Sequence, residues 1–526
     1  MLPCLTVPAL PATARRGHGH PWLTLVAVSL GLMMVTLDGT VVSIANPTIG
    51  KDLNASLAGL QWVTNGYLLA VATCLIVGGK LGDLFGRKRI FVVGLVVFTA
   101  ASLGCGLSDS IGSLIAFRVL QGLGGALMMP GTLSILRAAF PLRQLQLAVG
   151  IWAGSTSIAT ASGPIVGGLL VQHVNWQSIF FINLGIGALA LLIGWWVIME
   201  SRDEQPQRLD LPGAAALTGS LFALIWGIIN AAKHGWGSGY TLGFLAAAVG
   251  LFVVFLWWMR TTRDPLVPLD LFKTADLNAG LIVMLTVMFA LYGVLFFVTL
   301  YLQRVQGYSP VQAGVRMLPL TAVMAVSAPI GGLLGMKVPM RYQLSVGMGL
   351  VAGGLFGLTG ISPTSGFASL WPWFLLMALG MGLVFTGASQ AIVGSAPVHR
   401  AGLASGLQQT LLQVGGVLGT SVLGAILTSR IGSLLPSRLA DRGVTGSTAA
   451  AVVDGNTAIA QGVVPVPPGT SAVVAAKITD ASYAALTTGM HTTFVIAAIV
   501  VVSGGLVALV WVRMKPGHGM LDFSKM

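Results

Sequence analysis

Charge is scarce in this chain. Lys, Arg, Asp and Glu make up only 8% of its 526 residues, against about 25% in soluble domains. That excludes an ordinary water-soluble domain. A mean hydropathy of +0.87 identifies a polytopic membrane protein. Acidic residues are the scarcer sign: 15 Asp and Glu against 28 Lys and Arg leave a net charge of +13. In a soluble protein that excess would suggest nucleic acid. Here the basic residues fall mainly between apolar runs, where they set orientation in the bilayer, so no nucleic-acid partner is expected. Cysteine is nearly absent, and Cys4, Cys74 and Cys105 make no CxxC pair and no disulfide framework. The seven histidines are scattered without metal-ligand spacing, and HExxH, GxxxxGK[ST] and GxSxG do not occur. The expectation is therefore no metal, no cofactor and no enzymatic activity, with an ion gradient as the energy source.

What is present is apolar sequence in lengths that cross a bilayer, about 20 residues each. Fourteen such runs predict an all-α protein with both termini on one side. Nineteen of the 28 Lys and Arg lie on that side, seven on the other and two within spans. This places the termini in the cytoplasm and the protein in the cytoplasmic membrane. "GGKLGDLFGRK" (78–88) is echoed by "GGLLGMKVPMR" (331–341), eight spans later. Two six-span bundles with two spans inserted between them explain that interval, and repeats of this kind mark transporters. The expected divisions are a tail over 1–21, a first bundle over 22–199, a linker with two spans over 200–277, a second bundle over 278–513 and a tail over 514–526. One long outer loop, 430–488, never reaches spanning length, and short helices, a hairpin or disorder all fit it.

Asp38 interrupts the first apolar run, roughly 10 Å below the outer surface at 1.5 Å per residue. An ionised group at mid-membrane costs about 3 kcal/mol, so such residues usually face a cavity and mark a transport path. Desolvation also favours its protonated form. Arg118, in "LIAFRVLQGLGGALMMP", lies at a similar depth and is a pairing candidate, directly or through water; snorkelling to the headgroups is the alternative. For Arg316 snorkelling is the better expectation. In span 5, Ser155, Ala159, Gly163 and Gly167 recur every four residues, a stripe that permits close helix approach, and Pro164 should kink the span. Gly79, Gly82 and Gly86 permit a tight turn in "GKLGDLFGRKRI". Asp83 there suits a helix cap, and Arg87, Lys88 and Arg89 suit anionic headgroups. Candidate substrate contacts are Trp62, Asn65 and Tyr67 in span 2, Tyr292 and Phe296 in span 9, Gln409 and Gln413 in span 13, and Asp38 itself. For the aromatic row Phe289, Tyr292, Phe296 and Tyr301, lipid contact is equally compatible with the spacing.

Together these motifs resemble the major facilitator superfamily, and within it the fourteen-span drug:proton antiporters of the EmrB/QacA type, over nearly the whole chain. "GKLGDLFGRKRI" resembles the loop motif after span 2, with Leu84 where a basic residue is usual. "RVLQGLGGA" resembles the span-4 motif, with Arg118 at the proton-linked arginine. Gly150, Gly163, Pro164, Gly167 and Gly168 match the antiporter motif, with Ala159 where a glycine is usual. "LDGTVVSIANPTI" resembles the span-1 motif, with Asn46 in place of Leu and Ser43 in place of Asn. The resemblance implies two six-helix bundles, Asp38 as the proton- and substrate-coupling carboxylate, Asp83 with Gly79, Gly86, Arg87 and Lys88 as a gate, and the span-5 residues as an export hinge. Spans 9 to 14 carry no Asp or Glu, which argues against dicationic cargo. The expected activity is proton-coupled efflux of small lipophilic, neutral or monocationic compounds, by a monomer whose partners are its substrate, protons and the lipid bilayer. A dedicated exporter of one metabolite or lipid on the same fold, uptake rather than export, and a non-transporting scaffold or sensor are the alternatives.

Overall fold

The computed structural model describes residues 20–202, 210–263, 265–335, 337–396 and 401–513. The expected tails, apart from His20 and Pro21, lie outside these, as do Cys4, Arg208 and Arg400. Among the described residues every regular element is helical, and fourteen helices are long and apolar enough to cross a membrane.

Helices α1 (Pro21–Asp52), α2 (Leu57–Phe85), α3 (Arg87–Gly106), α4 (Ile111–Ala139), α5 (Leu142–His173) and α6 (Ser178–Val197) pack together as one half. α7 (Leu211–His234) and α8 (Gly239–Thr261) pair with each other, and α7 leans on α2. The other half contains α9 (Ala275–Leu300), α10 (Pro310–Gly335), α11 (Met340–Gly357), α12 (Trp371–Ser395), α13 (Ala401–Ala440) and α16 (Ala472–Trp511). Short α14 (Gly446–Asp454) and α15 (Asn456–Ile459) lie between α13 and α16. Below, the side on which α1 begins and α16 ends is the terminus side, and the opposite side is the loop side.

The repeat seen in the sequence has a packing cause. A Cβ at Gly78 of α2 would collide with the Ala126 carbonyl of α4, and one at Gly331 of α10 would lie 3.0 Å from the Gly382 carbonyl of α12. In each half a glycine at the end of the second helix lets it touch the backbone of the fourth. α9 is apolar on every side, and a helix of that kind belongs in the interior. Phe289, Phe296 and Tyr301 are accordingly buried by protein, which rules out lipid contact for them.

The loop expected over 430–488 is ordered and mostly helical. α13 runs on to Ala440, and α16 starts at Ala472, capped by the Ser471 hydroxyl. Hydropathy missed these extensions because they project beyond the apolar core, where Arg442 pairs with Asp480 at 2.6 Å. The segment between them reaches the other half: the Gln461 side-chain amide donates to the Ala55 carbonyl and accepts from Leu57 N–H, both at 2.8 Å.

Candidate functional site

α1 does not stop near residue 45. It continues through Pro47 to Asp52, because its last turns are buried and held from α9. Gln303 donates to the Ile44 carbonyl at 2.9 Å, and Arg304 donates to that of Pro47. Both come from Tyr301–Val305, a π-helical turn that ends α9. Asp38 is thus about 21 Å from the helix end.

The Asp38 side chain turns into the interior of the first half and is only 2% exposed. One carboxylate oxygen accepts from Arg118 Nη1. The other accepts from Gln121 Nε2 at 2.9 Å and Asn183 Nδ2 at 3.3 Å. Arg118, 1% exposed, also donates to the Val63 carbonyl at 3.1 Å and to Gln121 Oε1 at 2.6 Å. Its guanidinium lies 4.2 Å from the Tyr67 ring centre and 5.7 Å from that of Phe180. Ser102 Oγ accepts from both Gln121 and Asn183 and donates to the Phe180 carbonyl. Arg118 therefore pairs directly and does not snorkel. A buried ion pair is tolerated only when further hydrogen bonds satisfy its remaining lone pairs and protons; α2, α4 and α6 supply them, and Ser102 of α3 holds Gln121 and Asn183 in place. The sequence reading missed Ser102, Gln121 and Asn183. Gln121 was recoverable, since it lies three residues after Arg118 on one helix face. Ser102 and Asn183 are lone small polar residues in apolar runs.

Both oxygens of Asp38 are thus engaged inside one half. Between the halves lies a separate small cavity, about 10 Å³ in this conformation, where Ser43, Asn46, Thr64, Tyr292, Phe296 and Thr420 meet. Tyr292 and Phe296 thus stand where a substrate contact was expected. Asn65 does not: its amide donates to Ser421 Oγ at 2.8 Å and accepts from Thr420 Oγ1, while Gln61 donates to the Thr420 carbonyl at 2.7 Å. These two side chains tie α2 to α13. Tyr67 lies beneath Arg118 and donates to the Val35 carbonyl. Trp62 packs against Phe222 and Trp226 of α7, docking the inserted pair. Gln409 is half-buried on α13, and Gln413 has a buried side-chain oxygen without a partner. Arg316 sits 3.8 Å from the Tyr308 ring centre near the loop-side end of α10.

The α2–α3 turn is built by Gly86, whose φ of +111° only glycine adopts readily. Asp83 pairs with Arg87 at 2.8 Å and does not cap the next helix. That role falls to Glu200, which the sequence reading passed over: it accepts from Lys88 N–H at 3.1 Å and faces Arg89 at 3.6 Å. Lys88 Nζ donates to the Trp195 carbonyl. An acidic cap at a helix N-terminus is worth about 1 kcal/mol. Glu200→Ala should therefore cost about that much stability, read as a lower melting temperature, with Glu200→Gln losing less.

The small-residue face of span 5 divides its work. Gly163 and Gly167 abut Thr40 and Val41 of α1 within the first half. Pro164 and Gly168 face α10: a Cβ at Gly314 would strike the Pro164 carbonyl, and one at Gly168 would lie 2.6 Å from the Pro310 carbonyl. α5 runs as one helix through Pro164. Only this second face meets the other half. Its backbone contact, the hydrogen bond donated by Val311 N–H to Gln172 Oε1 at 3.2 Å and the α2–α13 and α1–α9 ties all gather toward the loop side, which is shut.

Two pseudo-repeated helical halves, a small central cavity and a buried ion pair in one half define a membrane transporter. Residues 28–420 match the Major Facilitator Superfamily, and the chain belongs to it. It is 44% identical to the tetracenomycin C resistance and export protein of Streptomyces glaucescens, over 96% of this chain and 94% of that protein. It is 30% identical to the multidrug efflux pump LfrA of Mycolicibacterium smegmatis, over 94% and 97% of the two chains. In fold it is similar to a bacterial homologue of the human lysosomal transporter Spinster in an inward-facing conformation, with TM-score 0.64, 19% identity and coverage of 94% and 99%.

Proposed function

We propose that this protein exports small lipophilic, neutral or monocationic compounds across the cytoplasmic membrane in exchange for protons, by alternating access of its two halves. Its relatives named for drug resistance and export support the direction. The basic-residue asymmetry supports cytoplasmic termini, so the shut loop side faces outward. The observation that supports the coupling is the Asp38–Arg118 pair, buried in one half and, among the described residues, reached by no other carboxylate. When the loop side opens, a proton on Asp38 neutralises the carboxylate and frees Arg118, which alters how α1 and α4 hold together beside the cavity. Return of the proton to the terminus side restores the pair.

One carboxylate implies one proton per cargo molecule. A monocation exchanged for one proton is electroneutral and draws only on the pH gradient. A neutral cargo moves one net charge, worth about 2.3 kcal/mol per 100 mV. The test is substrate-stimulated proton flux in proteoliposomes under an imposed pH gradient. A stoichiometry of one is expected. Two or more protons per cargo, or cargo movement indifferent to the gradient, would refute single-site coupling. A second reading, export of one dedicated compound class, is favoured by the tetracenomycin C relative, which is named for a single compound. Substrate profiling separates the two.

A further inference from the structure

The central cavity contains an unsatisfied recognition group. Asn46 of α1 is 2% exposed, and both its side-chain oxygen and its nitrogen lack a hydrogen-bond partner. Thr64 Oγ1, on α2 in the same wall of the cavity, is also buried and unpartnered. Burying a donor or acceptor unpaired is costly, and native structures carry few such groups without a reason. Here three polar atoms are left open at one place, opposite Tyr292 and Phe296. No Asp, Glu, Lys or Arg lines the space, and the Asp38 carboxylate is taken up by three donors from α4 and α6.

We infer that Asn46 is a specificity-determining residue that binds a neutral aromatic cargo through an adjacent donor and acceptor, such as a carboxamide. The inference rests on the export reading above and narrows its cargo class. An amide presents both a donor and an acceptor, so it satisfies such a pair in one contact. The aromatic side chains supply a stacking face. A desolvated cation gains nothing from an uncharged lining, whereas a site built to hydrogen-bond discriminates strongly against analogues that cannot reciprocate. The cavity is contracted to about the room of one water. Because α1 and α2 form one wall and α9 and α13 the other, it widens as the halves part.

The test is equilibrium binding to purified full-length protein in detergent with no gradient, so that it is independent of proton coupling. The probes are 2-naphthamide, neutral with an amide N–H donor beside its carbonyl acceptor, and tetraphenylphosphonium, a cation with no hydrogen-bonding group. Asn46→Leu, with the same number of side-chain heavy atoms, should bind the naphthamide about tenfold more weakly and the phosphonium unchanged, and should melt at a higher temperature because two unsatisfied atoms are gone. Unchanged naphthamide binding, or equal weakening for both probes, overturns the inference, as does wild-type protein that binds only the cation. Absence of proton-linked flux in liposomes, with the binding contrast intact, would instead overturn the coupling assignment alone.

Discussion

Asp38→Asn should abolish uphill export while sparing downhill movement of cargo. The substitution keeps the shape of the side chain and removes its exchangeable proton. In proteoliposomes with an imposed pH gradient, the variant should accumulate no cargo against its concentration gradient, and adding cargo should release no protons. Exchange of labelled for unlabelled cargo should persist, because the cavity between α1, α2, α9 and α13 lies outside the ion pair. There is a competing cause of failure. Neutralising one member of a buried pair leaves the other charge uncompensated, at a cost of about 3–5 kcal/mol, so the variant is expected to be less stable. Asp38→Asn combined with Arg118→Gln separates the causes. The double variant should recover stability, since no lone charge remains, and should still be uncoupled. Proton-driven accumulation in either form would show that the coupling carboxylate lies elsewhere.

The sequence made some of this legible for identifiable reasons. Span number follows from apolar length, and the two-fold plan from a glycine echo at the ends of α2 and α10, where helix backbones touch. Asp38 and Arg118 were visible because a charge in an apolar run is conspicuous. Their partners were not, because Ser102, Gln121 and Asn183 are neutral and small enough to pass as packing residues. Helix ends were misplaced wherever a helix outlasts its apolar segment. α1 runs seven residues beyond the expected boundary at 45 to Asp52, held by Gln303 and Arg304, and α16 begins seventeen residues before the expected 489, at Ala472. Trp62 and Asn65 were singled out for being polar or aromatic in a span. Only tertiary contacts show that Trp62 serves the α7 interface and Asn65 the tie to α13. Glu200 was overlooked because it is distant in sequence from the α3 N-terminus that it caps.

Gly314→Ala should have the second large effect, and it acts on the conformational cycle, not the proton. The loop-side seal depends on α5 and α10 meeting backbone to backbone, and a Cβ at Gly314 would strike the carbonyl oxygen of Pro164. Helix backbone cannot yield as a flexible side chain does. Overpacking at such a contact costs roughly 1–3 kcal/mol. The penalty falls only on the state in which the halves are closed at this side, so it shifts the equilibrium toward loop-side opening by about five- to 150-fold. Transport should fall steeply, since a carrier that cannot close one gate cannot complete its cycle. The shift itself is measurable by cysteine accessibility. Ser43→Cys places a thiol at the central cavity, and in protein lacking the native cysteines it should react much faster with an impermeant reagent added from the loop side when Gly314→Ala is present. Gly332→Ala on the same helix is the control, because a Cβ there meets no atom within 4 Å; it should leave both transport and labelling unchanged. If both substitutions behave alike, the α5–α10 contact is ordinary packing. If only Gly314→Ala opens the loop side, the absence of a single methyl group is what lets this transporter close that side.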